Sequence, residues 1–269
     1  MHRLLAMASL VSTVAAAGLV TGCAARAFTP PTDPGVAFPT FADVYADVSR
    51  TCSNVRTFTA ELGLSGHVGA ERVRGRVLAG FRTPDAMRLE GVAPIGAPAF
   101  VLAAQGGMAR LLLPRDNAAV TSAEPGALLD ALTGVSLAPA DLMAILTGCV
   151  VRGGRAREGA LHGADRASIA LDPDATLYLE RSGGRWGVRG ARRQGWLIEY
   201  PQVWQGAFPA RVSLRATRGN VDVELSATIA QVEANVDLDD RAFVVEVPAG
   251  TRTLGVDDLR QAGPLRGQP

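Results

Sequence analysis

The sequence predicts a mainly β fold with a few helices (α+β), built on an antiparallel sheet of about ten or eleven strands. Two observations carry this. Apolar and polar residues alternate with period two through most of the chain between 57 and 233, with Gly- and Pro-containing gaps between the runs. Midway, two leucine-rich stretches break that period and read as short helices. A sheet of that many strands curls as it twists. Apolar helices buried against its face would then enclose an apolar space; a fully packed interior is the alternative, and the one composition alone favours.

The elements follow in order. Phe41, Val44, Tyr45 and Val48 fall on one helical face, with Thr40 placed to cap it. The period then changes: Phe58, Ala60, Leu62 and Leu64 alternate with Thr57, Thr59, Glu61 and Gly63. Strands are expected at 71–82, 86–92, 98–105 and 108–114, separated by turns such as Pro84-Asp85 and Gly106-Gly107. Pro125 opens the first inserted helix, which carries Leu128, Leu129 and Leu132 and stops at Gly134. Pro139 opens the second, with Leu142, Ile145 and Leu146, ending at Gly148. Further strands are expected at 166–171, 175–182, 185–192, 195–200, 208–217 and 220–233, with Ser182-Gly183-Gly184 as a hairpin turn. A last apolar run, Phe243 to Val247, precedes Pro248.

The N-terminus reads as export machinery. His2 and Arg3 precede an apolar segment from Leu4 to Val20, and Val20-Thr21-Gly22-Cys23 looks like a bacterial lipobox. Residues 1–22 are then a signal peptide and Cys23 the acylated first residue of the mature chain, a soluble domain on a lipid anchor. Residues 23–40, rich in Ala, Pro, Thr and Gly, read as a flexible tether, 41–259 as one domain and 260–269 as a loose tail. Cys52 and Cys149 remain. In an oxidising compartment an even pair suggests a disulfide closing a loop of roughly 100 residues; two buried free thiols are the alternative.

Composition excludes much. The net charge of +1 implies no polyanion partner, nucleic acid included. All 27 cationic residues are arginine, which removes Walker-type and Schiff-base lysine chemistry. His67 and His162 have no ligand-spaced neighbours, so no metal is expected. Ser65 in Gly63-Leu64-Ser65-Gly66-His67 lacks the nucleophile-elbow pattern. The glycine pairs at 106, 153 and 183 sit in hairpin-type turns, unsuited to cradling phosphate. No catalytic residue and no cofactor is assigned, and no enzyme is expected.

Several words in the chain resemble the LolB family of outer-membrane lipoprotein receptors, within the wider LolA/LolB lipoprotein-localisation group. They are Arg88-Leu89, Pro94-Ile95-Gly96, the strand pair at 98–114, Leu132-Thr133-Gly134, Leu137-x-Pro139, Leu142-x-x-Ile145-Leu146-x-Gly148 and Pro209-Ala210-Arg211-Val212-x-Leu214. The likeness covers roughly 55–233; the segment 236–259 goes beyond a minimal LolB. It implies an incomplete antiparallel β-barrel with a helical lid over an apolar cavity. It also implies binding of acyl chains of lipoproteins or other lipids, a periplasmic LolA-like carrier as partner, and a monomer anchored at the periplasmic face of the outer membrane. The expected cavity residues are Phe58, Leu62, Leu64, Leu78, Leu89, Phe100, Leu102, Leu111, Leu113, Leu128, Leu132, Leu142 and Ile145. Strand parity decides each of these, since a slip of one residue reverses the face. Ile95 matches the residue that, in the family, protrudes to aid membrane insertion; folding back onto the sheet is its alternative.

Overall fold

The computed structural model describes residues 28–134, 136–201, 204–218 and 221–262. Cys23, the signal segment and residues 263–269 lie outside the described residues. A short strand, β1 (Val36–Ala37), leads into α1 (Phe41–Ser53). Six strands follow: β2 (Thr57–Val68), β3 (Glu71–Arg82), β4 (Ala86–Val92), β5 (Val101–Gln105), β6 (Met108–Leu113) and β7 (Ala118–Ser122). Next come α2 (Pro125–Thr133) and α3 (Pro139–Leu146). The second run is β8 (Arg155–Leu161), β9 (Arg166–Asp172), β10 (Ala175–Ser182), β11 (Arg185–Arg193) and β12 (Trp196–Glu199). A small hairpin, β13 (Trp204–Gln205) and β14 (Phe208–Pro209), precedes β15 (Arg211–Arg218), β16 (Val221–Ala234), β17 (Arg252–Thr253) and α4 (Val256–Ala262).

Fifteen strands form one open sheet, in the order β1-β8-β9-β10-β11-β12-β15-β16-β2-β3-β4-β5-β6-β7-β17. The two halves of the chain are joined where β16 pairs with β2, from Val223↔Val68 to Ala234↔Phe58. All pairings are antiparallel except β17 with β7, which is parallel. The architecture is therefore the expected mainly β, unclosed sheet with helices, but with more strands. The additions are β7 and β8 together with the short edge strands β1 and β17. Ala118-Ala119-Val120-Thr121-Ser122 has no alternation, and β8 carries a bulge between Ala156 and Glu158 that breaks its period.

Both helical insertions start with Pro at the first turn, and Gly134 closes α2 in the left-handed conformation at φ 75°. Thr40 occupies the position before α1, but its side chain makes no capping bond. Helices α2 and α3 bury Leu128, Leu129, Leu132, Ile145 and Leu146 in one core with the inward residues of the sheet, such as Val77, Phe81, Leu102, Leu111, Ile169, Leu177 and Ile198.

Both ends of the described chain depart from expectation. Residues 28–40 are laid on the sheet: Phe38 is buried, its amide bonds the Gly159 carbonyl at 3.0 Å, and its ring meets Trp186 at 5.5 Å. Aromatic contacts offset the ordering entropy that a Pro/Thr-rich tether would otherwise retain. Residues 236–250 form a strap over the outer face. Arginines of three strands, β3, β4 and β6, donate to its carbonyls: Arg82 to Leu238 (2.9 Å), Arg88 to Ala242 (3.2 Å) and Arg110 to Val245 (2.9 Å). Phe243, the start of the apolar run, is buried beneath the Arg82 guanidinium. The strap turns the edge of the sheet through β17, and α4 then packs on α2, burying Leu259 and pairing Arg260 with Asp130 at 3.6 Å. Residues 260–262, expected in a loose tail, are thus part of a helix.

Candidate functional site: an apolar space under two helices

Between the sheet and the pair α2/α3 lies a cavity of about 80 Å³. Its floor comes from β2 (Leu62, Leu64), β3 (Val73, Val77), β4 (Leu89), β15 (Val212, Leu214) and β16 (Leu225, Ala227), with Phe100 beside them. Its roof is Leu129, Leu132 and Thr133 of α2, Leu137 of the connection, and Leu142, Ile145 and Leu146 of α3. The Thr133 hydroxyl donates to Leu129 O at 2.8 Å within its own helix, so it makes no demand on the space. A Cβ at Gly91 would stand 2.5 Å from the Phe100 ring; the bare backbone there lets Phe100 lie flat at the cavity edge. What such a space can accept is hydrocarbon, because an unpaired polar group entering it would lose hydration without compensation.

The structure brings together Leu62, Leu64, Leu89, Phe100, Leu132, Leu142 and Ile145 of the expected set. Phe58, Leu102, Leu111, Leu113 and Leu128 point inward and are buried, but pack away from the space; Phe58, for example, meets Phe81 and Phe208. Leu78 is a correction: it is 46% exposed on the outer face, because Val73, Val77, Ala79 and Phe81 set the inward parity of β3. The residues missed include Val73, Val77, Leu129, Leu137, Val212, Leu214 and Leu225. The alternation of Val212 and Leu214 and of Val221, Val223 and Leu225 is visible in sequence, but nothing local reveals that β15 and β16 lie beside β2.

The two roof helices are held differently. Helix α3 is tied down by polar bonds. The Tyr200 hydroxyl donates to Ile145 O at 2.9 Å, and burial pushes that phenol far above its usual range, so it stays a neutral donor. The buried Arg193 donates to Asp141 Oδ1 (2.7 Å) and Val150 O (2.8 Å). Just beyond the helix, Cys149 is bonded to Cys52 at the end of α1, with Cα atoms 5.5 Å apart. Helix α2 leans instead on α4.

At the tip of the β4–β5 loop, Ile95 is 87% exposed; it projects from the sheet rather than folding back. On the outer face, Asp33 Oδ1, His162 Nδ1, His162 Nε2 and Ser168 Oγ stand in relay order at 2.9 and 2.8 Å. The hydrogen bond from His162 lowers the Asp33 pKa. Ser168 lies inside β9, paired with both Ala160 and Tyr178, so neighbouring amides are committed to the ladder and offer no oxyanion site. The group staples the N-terminal segment to the β8–β9 turn. Among the described residues there is no metal-ligating cluster, and no helix is long and apolar enough to cross a membrane.

Fold and site together define an open β half-barrel with helices closing an apolar interior. No protein-family model matches the chain, and no curated protein matches it in sequence. Among solved structures, it is similar to a DUF1329 family protein from Desulfovibrio piger (TM-score 0.50, 10% identity, 78% of this chain and 98% of that one). It is also similar to a LolA superfamily protein from Nitrosomonas europaea (0.47, 10%, 75% and 98%). A third is an outer-membrane lipoprotein-sorting protein domain from Vibrio parahaemolyticus (0.41, 9%, 74% and 94%). At such identities the likeness is one of fold, and none of these three is described as LolB.

Proposed function

We propose that this chain is a non-catalytic envelope lipoprotein, anchored through Cys23 at the periplasmic face of the outer membrane. It takes acyl chains between α2/α3 and the sheet, receiving lipoproteins from a LolA-like periplasmic carrier and inserting them in that membrane. The observation that carries this is the hydrocarbon character of the cavity lining, Thr133 and Ser226 apart, the Ser226 hydroxyl being paired with that of Ser213 at 2.8 Å. Each CH2 moved there from water contributes about 0.8 kcal/mol. Sites for ligands of that size occupy about 300–1,000 Å³, far above the 80 Å³ seen, so the described state is closed and loading requires the roof to move. With α3 bonded to the sheet and to α1, the moving part in this reading is α2 with α4.

Native mass spectrometry of residues 24–269, with uptake of a fluorescent fatty acid, tests this. A lipid adduct is expected. Leu142→Glu, at a half-buried wall position, should lower probe affinity at least about tenfold while the fold is kept, since the carboxylate must be desolvated by any chain that enters. Leu132 and Ile145 are poorer sites for a charge because both are fully buried and the fold itself would suffer. Ile95→Asp has a separate signature: probe binding unchanged, delivery of a lipoprotein into vesicles reduced about tenfold, in line with the loss of one inserted isoleucine. Equal delivery by Ile95→Asp and parent would remove the loop from the mechanism.

A second reading draws on the small volume itself: a filled core whose outer surfaces dock other envelope components, with the lipid as anchor only. A clean apo mass and no probe uptake would select it.

A further inference from the structure

The net charge of +1 hides a division along the chain. Residues 150–218 contain twelve arginines and six acidic residues; residues 219–262 contain three and nine. The basic stretch is the half-sheet β8–β12 with β15. On its outer face two of the six acids are each shared between two arginines: Arg155 and Arg157 share Asp172, while Arg189 and Arg215 share Glu199. Arg166, Arg185 and Arg192 alternate with the inward-facing Ala167, Trp186 and Ala191, are exposed, and enter no ion pair with a described residue.

The N-terminal segment crosses this same face. The Phe28 amide donates to Glu199 Oε1 (3.1 Å), Arg215 donates to Phe28 O (3.1 Å), and the ring lies against Arg189 (5.4 Å) and Tyr178 (5.5 Å). Cys23 precedes Phe28 by five residues, which span at most about 18 Å. An acyl group on Cys23 would therefore hold this face close to the bilayer.

We infer that the outer face of β8–β12 and β15 is the surface on which the protein rests on an anionic phospholipid membrane. The leash rests on the reading of Cys23 as the anchor; the charge division does not. Arg166, Arg185 and Arg192 are the free cations that meet lipid phosphates, and the paired arginines hold the N-terminal segment in place. The Ile95 loop leaves the sheet from β4, five strands along from β12, and is a separate contact.

The test uses unacylated residues 24–269, which contain every described element, in flotation with vesicles of phosphatidylcholine alone or with roughly one-third phosphatidylglycerol. The expected result is binding to the anionic vesicles only, abolished by high salt. Replacing Arg166, Arg185 and Arg192 together by Gln should weaken it about a hundredfold, at about fivefold per arginine. The same change at Arg72, Arg74 and Arg115, exposed on the other half of the sheet, should leave it within about threefold. Equal binding to both vesicles, or equal loss in the two triple variants, overturns the inference. Fatty-acid uptake by the same preparations reports the cavity independently, so failure at the surface and failure at the cavity are told apart.

Discussion

A chain carrying Cys52→Ala and Cys149→Ala should unfold about 4–5 kcal/mol more easily than the oxidised parent. The bond spans 97 residues of sequence, and a cross-link across a loop of that length removes about this much conformational entropy from the unfolded chain. The two sulfurs sit in a small buried cluster with Ala144, so alanine leaves little empty volume and the loss is chiefly that of the cross-link. Urea unfolding of parent and variant measures it; a difference below about 1 kcal/mol would mean that the bond constrains nothing the unfolded chain would otherwise explore. The same pair answers a mechanistic question. A bond at the end of α3 suggests restricted opening, but Tyr200 and Arg193 hold α3 without it. The rate of fatty-acid uptake should therefore be unchanged when the bond is removed. Faster uptake would make α3 the moving helix.

Much of this fold is legible because alternation is a local property. Strands β2, β3, β4, β6, β15 and β16 each bury one parity of residues against a helical layer, and that pattern is visible without knowing the partners. The departures have physical causes. Leu78 attracts attention as the only leucine of β3, yet Val73, Val77 and Phe81 fix the opposite parity, and that alternation is present in the sequence. β8 is obscured by its bulge, since one extra residue inverts the phase that a period depends on. The strap at 236–250 has no period because it crosses the strands, and its backbone is satisfied by arginine side chains from three of them instead of by a ladder.

The N-terminal segment is the clearest case of what composition conceals. Pro30, Pro31 and Pro34 argue for a spacer, and the residues that dock it are isolated: Phe28, Asp33 and Phe38. Their partners lie between 121 and 187 residues away, at Gly159, His162, Trp186, Arg189 and Arg215. Nothing local marks an aspartate that will meet a particular histidine. The cavity follows the same logic: each wall residue reads as apolar and inward, but which of them face an unfilled volume depends on how fifteen strands curl.

Arg193→Met should cost about 3 kcal/mol of stability, and the loss should centre on α3. The guanidinium is buried on the inner face of β11 and reaches both the first turn of α3, through Asp141, and the segment behind it, through Val150 O. Val150 is a β-branched residue held at φ 62°, a conformation that costs about 1–3 kcal/mol and persists only where its surroundings impose it. The Arg193 bond to its carbonyl is one of those impositions. Removing one partner of a buried pair typically costs about 3–5 kcal/mol, because the other charge is left without compensation. Asp141 retains 22% side-chain exposure and water can reach it, which places the expectation at the lower end. Arg193→Lys should recover less than half of the loss, since one ammonium cannot serve two acceptors in the divergent geometry that the guanidinium spans. Hydrogen exchange should report faster opening of the amides of Leu142, Met143 and Thr147, with those of β2 and β16 unmoved at the sheet centre. A midpoint within about 0.5 kcal/mol of the parent, or exchange that quickens over the whole sheet, would show that packing alone holds α3 and that the polar bonds merely accompany it.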